Sequence, residues 1–151
     1  MLWLDALLAY THFVAIIGTV STVVVEAVLC RPGLTLPWAQ RLGRVDLFYL
    51  VMAALALTTG FLRVFFGIKG STFYFSNPVF WIKIGIFIAV GLISILPTLR
   101  FLRWTKTLQA NEGGVIEAAE VIGTARIVYI ELVLLALIPL MATLMARGFG
   151  W

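Results

Sequence analysis

PVFWIKIGIFIAVGLISILPTL, residues 78–99, is an apolar run interrupted by a single charge, Lys83. A helix needs about 20 consecutive apolar residues to cross the hydrocarbon core of a bilayer, and this run is long enough. Pro78 suits the first turn of a helix because its missing N–H would have no partner there, and Ser76 or Asn77 can act as the cap. The stretch therefore predicts a membrane-spanning helix and leaves Lys83 to be explained.

Three further segments have the same length and apolar character. The four predicted spans are residues 4–29, 45–66, 78–99 and 122–146. The chain is 62% hydrophobic and 12% charged, whereas soluble domains are about 45–50% apolar and about 25% charged. The sequence therefore predicts an all-α integral membrane protein, with residues 1–151 forming a single four-helix transmembrane domain.

The basic residues are unevenly distributed between the predicted loops. Six lie in or beside the first and third connections: Arg31, Arg41, Arg44, Arg100, Arg103 and Lys106. On the other side, Lys69 and Arg147 are the basic residues. Because positively charged loops stay in the cytoplasm, both termini are predicted to face the periplasm, in a bacterial inner membrane. The same rule explains the net charge of +4, and we expect no nucleic-acid partner.

The five tryptophans fit the aromatic belts that mark membrane interfaces. Trp3, Trp81 and Trp151 fall at the predicted outer interface, and Trp38 and Trp104 fall at the inner one. These positions agree with the predicted orientation.

Four charged residues are predicted to form an inner polar layer of the membrane: Glu26, Asp46, Arg126 and Glu131. A charge at membrane depth costs about 2.5–3.5 kcal/mol, so each needs a partner, a wet cavity or a route to the surface. We expect Glu26 and Asp46 to form structural ion pairs with Arg126 or Arg44. A proton relay through Glu26 is the alternative, because His12, Thr19 and Glu26 recur every seven residues along one helix face.

His12, Arg63 and Lys83 are predicted to lie at similar depth on three helices, in the outer half of the membrane. Such a basic pocket suits carboxylates, including haem propionates, or a quinone oxygen. Lys83 and Arg63 could instead reach the membrane surface with their long side chains, and His12 could be structural. Since His12 is the only histidine, haem iron would be five-coordinate, ligated by His12 with Met141 or Met145, or shared across a dimer.

Several enzyme signatures are absent from the sequence. It has no glycine-rich phosphate loop, no nucleophile elbow and no HExxH motif. Hydrolytic catalysis is not expected, no catalytic residue is assigned, and whether the protein is an enzyme stays open.

The segments LRVFFGIKGSTFY, residues 62–74, and NPVFWIK, residues 77–83, resemble an uncharacterised bacterial inner-membrane family of four-helix proteins, and the resemblance covers nearly the whole chain. More distantly, one histidine in the first helix and a Trp-x-Lys in a later helix are similar to the CopD and HemJ type of membrane proteins. That resemblance implies a haem-linked role for His12 and a matching role for Lys83.

These observations lead to three hypotheses for function. The first is an inner-membrane protein that binds haem b or another redox cofactor in the outer basic pocket. The alternatives are a non-catalytic subunit that stabilises or assembles a larger membrane complex, and a proton or small-solute pathway along the stripe from His12 to Glu26. Membrane lipids are expected neighbours, and faces of small residues predict a homo-oligomer.

Overall fold

The computed structural model describes residues 2–111 and 114–150. Trp151, one of the predicted belt residues, lies outside the described part of the chain. The elements in chain order are α1 (Leu2–Leu29), α2 (Leu36–Phe66), α3 (Gly70–Phe75), α4 (Pro78–Ala110) and α5 (Ala118–Ala146). All of these except α3 are long and apolar enough to cross a membrane. The predicted all-α architecture with four spanning helices is therefore confirmed.

The spanning helices form two hairpins that pack against each other. Helices α1 and α2 form one hairpin, α4 and α5 form the other, and the hairpins meet through α2 against α4 and α1 against α5. Asp5 Oδ1 accepts a hydrogen bond from the Ile68 N–H (3.2 Å), and Asn77 Nδ2 donates one to the Phe149 carbonyl (3.0 Å). The first turns of α1, the segment after α5 and the connection from α2 to α4 thus lie at one end of the bundle, which we call the terminal end. We call the opposite end the loop end.

Most of the fully buried core side chains of the bundle lie toward the loop end. Fully buried core residues come from every spanning helix: Val23, Ala39, Leu42, Phe101, Val121 and Val128. In contrast, many large apolar side chains point away from the bundle, among them Phe13, Ile17, Phe48, Leu92 and Val133. On a soluble protein such a surface would promote aggregation, but hydrocarbon chains of lipids solvate it well.

Three of the helices extend beyond the predicted spans at the loop end. Helix α2 begins at Leu36 rather than near residue 45, because Ala39 and Leu42 bury one face of this extra segment in the core. Helix α4 continues to Ala110 through Pro97, which lies inside the helix and is buried. Helix α5 already begins at Ala118. The extensions carry the bundle past the apolar spans on the loop-end side.

A short helix, α3, occupies the connection that the sequence predicted as a loop. Gly70 begins it with a φ of 74°, in the left-handed region that favours glycine. Its aromatic residues pack on the start of α4, where Phe75 stacks on Trp81 at a centroid distance of 5.9 Å. Tyr74 and Phe80 form a small core cluster with Val64 and Met145. The connection therefore packs against the terminal end of the bundle.

Asn77 is the residue that caps α4. Its Oδ1 accepts a hydrogen bond from the Val79 N–H (2.9 Å) while its Nδ2 holds the Phe149 carbonyl, and the side chain is fully buried. The other predicted cap, Ser76, donates to the Thr72 carbonyl instead (2.6 Å). Asn77 therefore fixes both the start of α4 and the segment that follows α5.

The tryptophans do not all lie at lipid-facing positions. Trp3 and Trp38 are 90% and 43% exposed, as expected for interface residues, but Trp104 is only 1% exposed. Its Nε1 donates to Glu120 Oε1 (2.7 Å), and the same carboxylate forms an ion pair with Arg103. The prediction that Trp104 belongs to the belt is wrong, because α4 turns this position toward α5 and the core.

Candidate functional site

A cavity of about 100 Å³ lies between the four spanning helices near the terminal end and also contacts α3. Much of its wall is apolar, with side chains that include Ile16, Val20, Phe61, Phe87, Leu135 and Ile138. Its polar lining side chains are His12, Thr19, Arg63, Tyr74 and Lys83. The structure thus brings His12 of α1, Arg63 of α2 and Lys83 of α4 to one cavity.

His12 is held by α2 through one ring nitrogen. Its Nδ1 lies 3.0 Å from Thr59 Oγ1, and that hydroxyl donates its own hydrogen to the Leu55 carbonyl (2.6 Å). The Ala56 carbonyl also interacts with the ring. Since the hydroxyl hydrogen is already used, the hydrogen-bond network assigns a proton to Nδ1, which donates to Thr59. In a neutral ring with this tautomer, Nε2 keeps its lone pair.

Arg63 and Lys83 interact with aromatic rings rather than with acids. Arg63 Cζ lies 5.9 Å from the centroid of the Phe13 ring, and Lys83 Nζ lies 5.3 Å from that of Phe80. Arg63 Nε is buried with no hydrogen-bond partner among the described residues. In the same part of the chain, the ion pair that forms is Arg103 with Glu120, at the loop end. The cavity therefore holds positive charge that no carboxylate in the described part of the chain neutralises.

Tyr74 is a lining residue that the sequence analysis missed. It lies on α3, outside the spanning helices, and burial raises the pKa of its hydroxyl, while nearby Arg63 acts in the opposite direction. The hydroxyl is therefore a hydrogen-bond donor at neutral pH. The available signal was the dense run of aromatic residues in GSTFYFSNPVFW, residues 70–81, because such a run packs against its neighbours rather than forming an open loop.

The two methionines predicted as further haem ligands do not line the cavity among the described residues. Met145 packs in the cluster with Val64, Tyr74 and Phe80. Met141 lies on α5 one turn before it. Axial ligation by His12 together with either methionine is therefore not arranged in this structure.

A second polar cluster lies deeper in the bundle and consists of Glu26, Asp46 and Glu131. These side chains are 2%, 5% and 1% exposed. Asp46 Oδ1 accepts a hydrogen bond from Thr98 Oγ1 (2.8 Å), whereas Glu26 Oε1 and Glu131 Oε1 have no partner in the described part of the chain.

The predicted ion pairs of Glu26 and Asp46 with Arg126 or Arg44 are wrong for the described residues. Both arginines are exposed, on helix faces that point away from the buried carboxyl groups. Long arginine side chains near the end of a helix can keep their charge at the membrane surface. The carboxyl cluster therefore has no counter-ion of the expected kind.

Cys30 follows α1 directly and borders the same region. Its Sγ is 3.6 Å from the Val121 carbonyl, and burial, with a smaller contribution from Glu26, raises the pKa of the thiol to about 12. The thiol is therefore not a nucleophile at neutral pH. The residues that the structure describes contain no group of three or more His, Cys, Asp or Glu side chains arranged to hold a metal ion.

Four long apolar helices with lipid-facing outer surfaces define this chain as a multi-pass membrane protein. More specifically, the chain belongs to the family described as "Predicted membrane protein (DUF2214)", whose sequence model matches residues 4–150. This confirms the resemblance to an uncharacterised membrane family. No curated protein and no solved structure shows a significant match. The comparisons do not show the more distant similarity to the CopD and HemJ type.

Proposed function

We propose that this protein binds an amphiphile in the cavity at the terminal end. The ligand carries an anionic or carbonyl oxygen, as a fatty acid or a quinone does, and its apolar part lies among the lipid-facing side chains. The observation that carries the proposal is the presence of His12, Arg63 and Lys83, from three helices, around one apolar cavity.

Electrostatics favours an anionic or strongly polar ligand there. Arg63 and Lys83 are close enough for their positive charges to interact unfavourably. Burying unpaired positive charges at membrane depth is costly, and a negatively charged or carbonyl oxygen offsets that cost. The Tyr74 hydroxyl adds a neutral donor, and His12 Nε2 adds an acceptor. The oxygen of a carboxylate or a quinone carbonyl can accept from Arg63, Lys83 and Tyr74, whereas Nε2 can accept only from an O–H of the ligand, as in a protonated carboxyl group or a quinol.

Haem b is the second candidate, and the structure favours it in one respect only. His12 has Nδ1 bonded to Thr59 and Nε2 free of a proton, which is the usual arrangement of a metal-ligating histidine. However, a cavity of about 100 Å³ is smaller than the roughly 300–1,000 Å³ of typical pockets for drug-sized ligands. The haem macrocycle does not fit inside this cavity. We therefore propose that the cavity holds only the polar headgroup of the amphiphile.

The binding experiment compares cavity variants with an exposed control. Purified protein in detergent is titrated with dodecanoate and with a short-chain ubiquinone. Arg63→Met and Lys83→Met each remove a charge but keep much of the apolar volume. Loss of a charge-assisted hydrogen bond costs about 1.5–3 kcal/mol, so affinity for at least one probe should fall about 10-fold to 150-fold. Lys69→Met, which removes an exposed charge over the Phe73 ring, should bind as the wild type does.

Several results would contradict the amphiphile assignment. One is failure of the wild type to bind either probe, combined with no amphiphile in an organic extract of the purified protein. Another is equal affinity in the two cavity variants and in Lys69→Met. A Soret absorption band in the purified protein that His12→Ala abolishes would assign the site to haem instead. A colourless protein that binds neither probe would favour the non-catalytic assembly subunit.

We infer further that the protein lies in a bacterial inner membrane with both termini in the periplasm. Support comes from the exposed arginine and lysine side chains at the loop end: Arg31, Arg41, Arg44, Arg103, Lys106 and Arg126. Alkaline phosphatase fused at the C-terminus should be active, and green fluorescent protein inserted between α4 and α5 should fluoresce. The reverse pattern of the two reporters would place the loop end in the periplasm.

Homo-oligomer formation and membership in a larger complex stay predictions. Part of the small-residue face of α1 is used within one chain, because a Cβ on Gly18 would lie 2.8 Å from Met52 Sδ of α2. Ala15 is likewise fully buried. A self-association face would therefore have to use other residues, with lipids covering the remaining apolar surface.

A further inference from the structure

The carboxyl cluster lies outside the cavity and plays no part in the proposed binding of an amphiphile. Glu26 of α1, Asp46 of α2 and Glu131 of α5 approach one another closely enough to interact electrostatically. Tyr49 of α2 lies beside all three, and its hydroxyl interacts with Ser94 of α4. Every spanning helix thus contributes a polar group to one enclosed region.

Two oxygens in this region lack the hydrogen bonds that buried oxygens normally have. Glu26 Oε1 and Glu131 Oε1 are inaccessible to solvent and have no donor among the described residues. The large majority of buried side-chain polar atoms in proteins find a partner, so these two unpaired oxygens call for a donor that the described residues do not supply. For two carboxyl groups near each other, a proton is the simplest such ligand, because a protonated carboxyl group becomes a donor.

The charged and titratable groups around the cluster do not supply a counter-ion. Cys30 faces it from the end of α1, and Asp46 and Tyr49 face it from α2. From α4, Arg100 directs Nη1 to Thr124 Oγ1 (2.9 Å), and its charge acts on Cys30. From α5, Glu131 itself faces the cluster. No cation in the described part of the chain is paired with a member of the cluster.

Three ionised carboxylates cannot be held together under these conditions. Moving an isolated carboxylate from water into an apolar interior is so unfavourable that the group takes up a proton instead. Like charges at short distance add to that preference. Asp46, which accepts a hydrogen bond from Thr98, is the member best suited to carry the remaining negative charge.

We propose that Glu26 and Glu131, together with Asp46, form an exchangeable proton-binding site inside the membrane. The two glutamates hold protons at neutral pH, and Asp46 accepts hydrogen bonds from its neighbours. Thr19, which lines the cavity, lies two helical turns from Glu26 on α1, or about 10 Å by helical rise. The site therefore lies below the cavity on the same polar stripe, but it does not depend on what the cavity binds.

Infrared spectroscopy detects such protons directly, because a protonated carboxyl group has a carbonyl stretch that a carboxylate lacks. Wild-type protein in detergent at neutral pH should show this band, and labelling with ¹³C-glutamate should shift it. In D₂O the band should shift again, because the proposed protons exchange with solvent. Glu26→Gln and Glu131→Gln should each weaken it. The control Glu117→Gln, at an exposed position beside the start of α5, should leave it unchanged.

The pH dependence of stability gives a second readout. A folded protein that holds protons which the unfolded chain releases loses stability as the pH rises above the ordinary glutamate pKa of about 4.3. Each such proton should increase the unfolding equilibrium constant about tenfold per pH unit. The slope should be smaller in Glu26→Gln and Glu131→Gln than in Glu117→Gln.

The two measurements together decide the proposal. Absence of the glutamate band from the wild type overturns it, and so does a flat stability profile above the ordinary glutamate pKa. Specific stabilisation of the wild type by Na⁺ over K⁺, lost in the two glutamine variants, would assign the site to a metal cation instead of a proton. If the variants fail to fold, the labelled wild type alone still gives the answer through its band and the shift in D₂O.

Discussion

Replacing Trp104 with alanine is expected to lower the free energy of unfolding by about 3–5 kcal/mol, the range for deleting a large aromatic side chain from a packed core. Trp104 is among the largest fully buried side chains of the bundle and packs on Phe101 at a centroid distance of 5.6 Å. Alanine would leave a void between α4 and α5 and remove the indole donor from Glu120. Unfolding in a series of detergent mixtures with increasing sodium dodecyl sulfate measures the change.

Two matched substitutions separate burial from hydrogen bonding. Trp104→Phe retains most of the volume but loses the N–H, so it should cost about 1–3 kcal/mol. Trp38→Ala removes the same type of side chain at the same end of the bundle, but from a position that is 43% exposed. It should therefore cost clearly less than Trp104→Ala. Equal costs for the two alanine variants would contradict the buried position of Trp104.

Hydropathy was sufficient for the spanning helices because their outer surfaces are as apolar as their core. The same property hides which face of each helix is buried. Ile17 and Val133 point outward, while Val23 and Val128 are completely buried. In an aqueous protein the outward side chains would be polar and would reveal the face by their periodicity. In a membrane protein this contrast is absent, which is why Trp104 was placed with the lipids.

The rotation of residues about a helix would have corrected the predicted ion pairs. Successive residues differ by about 100° on an ideal helix. Arg44 and Asp46, a predicted pair, are two positions apart and point about 160° away from each other. Arg126 points about 140° away from Glu131, whose side chain is buried inside the bundle, and so also away from Glu26 and Asp46. Depth alone suggested that these residues meet. Direction shows that an arginine on the outer face cannot reach a carboxyl group inside.

The cavity could be predicted only in part. Similar depth suggested a common location for His12, Arg63 and Lys83, and the structure places all three around one cavity. Thr59 and Gly60, which position His12, gave no signal, because a threonine within an apolar helix usually bonds to its own backbone. Tyr74 was missed because a helix of six residues is too short to show a hydrophobic period.

Gly60→Val is expected to lower the free energy of unfolding by about 2–4 kcal/mol and to abolish ligand binding in the cavity. A Cβ at position 60 would lie 3.2 Å from His12 Cε1, which is tighter than an ordinary contact, and the further methyl groups of valine would add to the crowding. Valine would push the ring off Thr59. The cost combines about 1–3 kcal/mol for overpacking with about 1 kcal/mol for the lost hydrogen bond.

Gly91→Val provides the control for the effect of the substitution on a helix. Gly91 lies within α4, and a Cβ there would meet nothing within 4 Å. Its replacement should therefore change stability by no more than about 0.5 kcal/mol. Equal stability of Gly60→Val and Gly91→Val would mean that the His12 ring does not pack on Gly60.

The double variant Gly60→Val with His12→Ala tests the contact itself. Removing the imidazole ring frees the space that the valine needs, so the double variant should be more stable than the sum of the two single effects predicts. Contacting residues typically show such coupling at about 0.5–3 kcal/mol, whereas distant residues are additive. Binding should not recover in the double variant, because the ring that frees the space is also the acceptor in the cavity. Additive effects on stability would show that the His12 ring does not pack on Gly60. Coupled effects without recovered binding would show that the ring both packs on Gly60 and takes part in ligand binding.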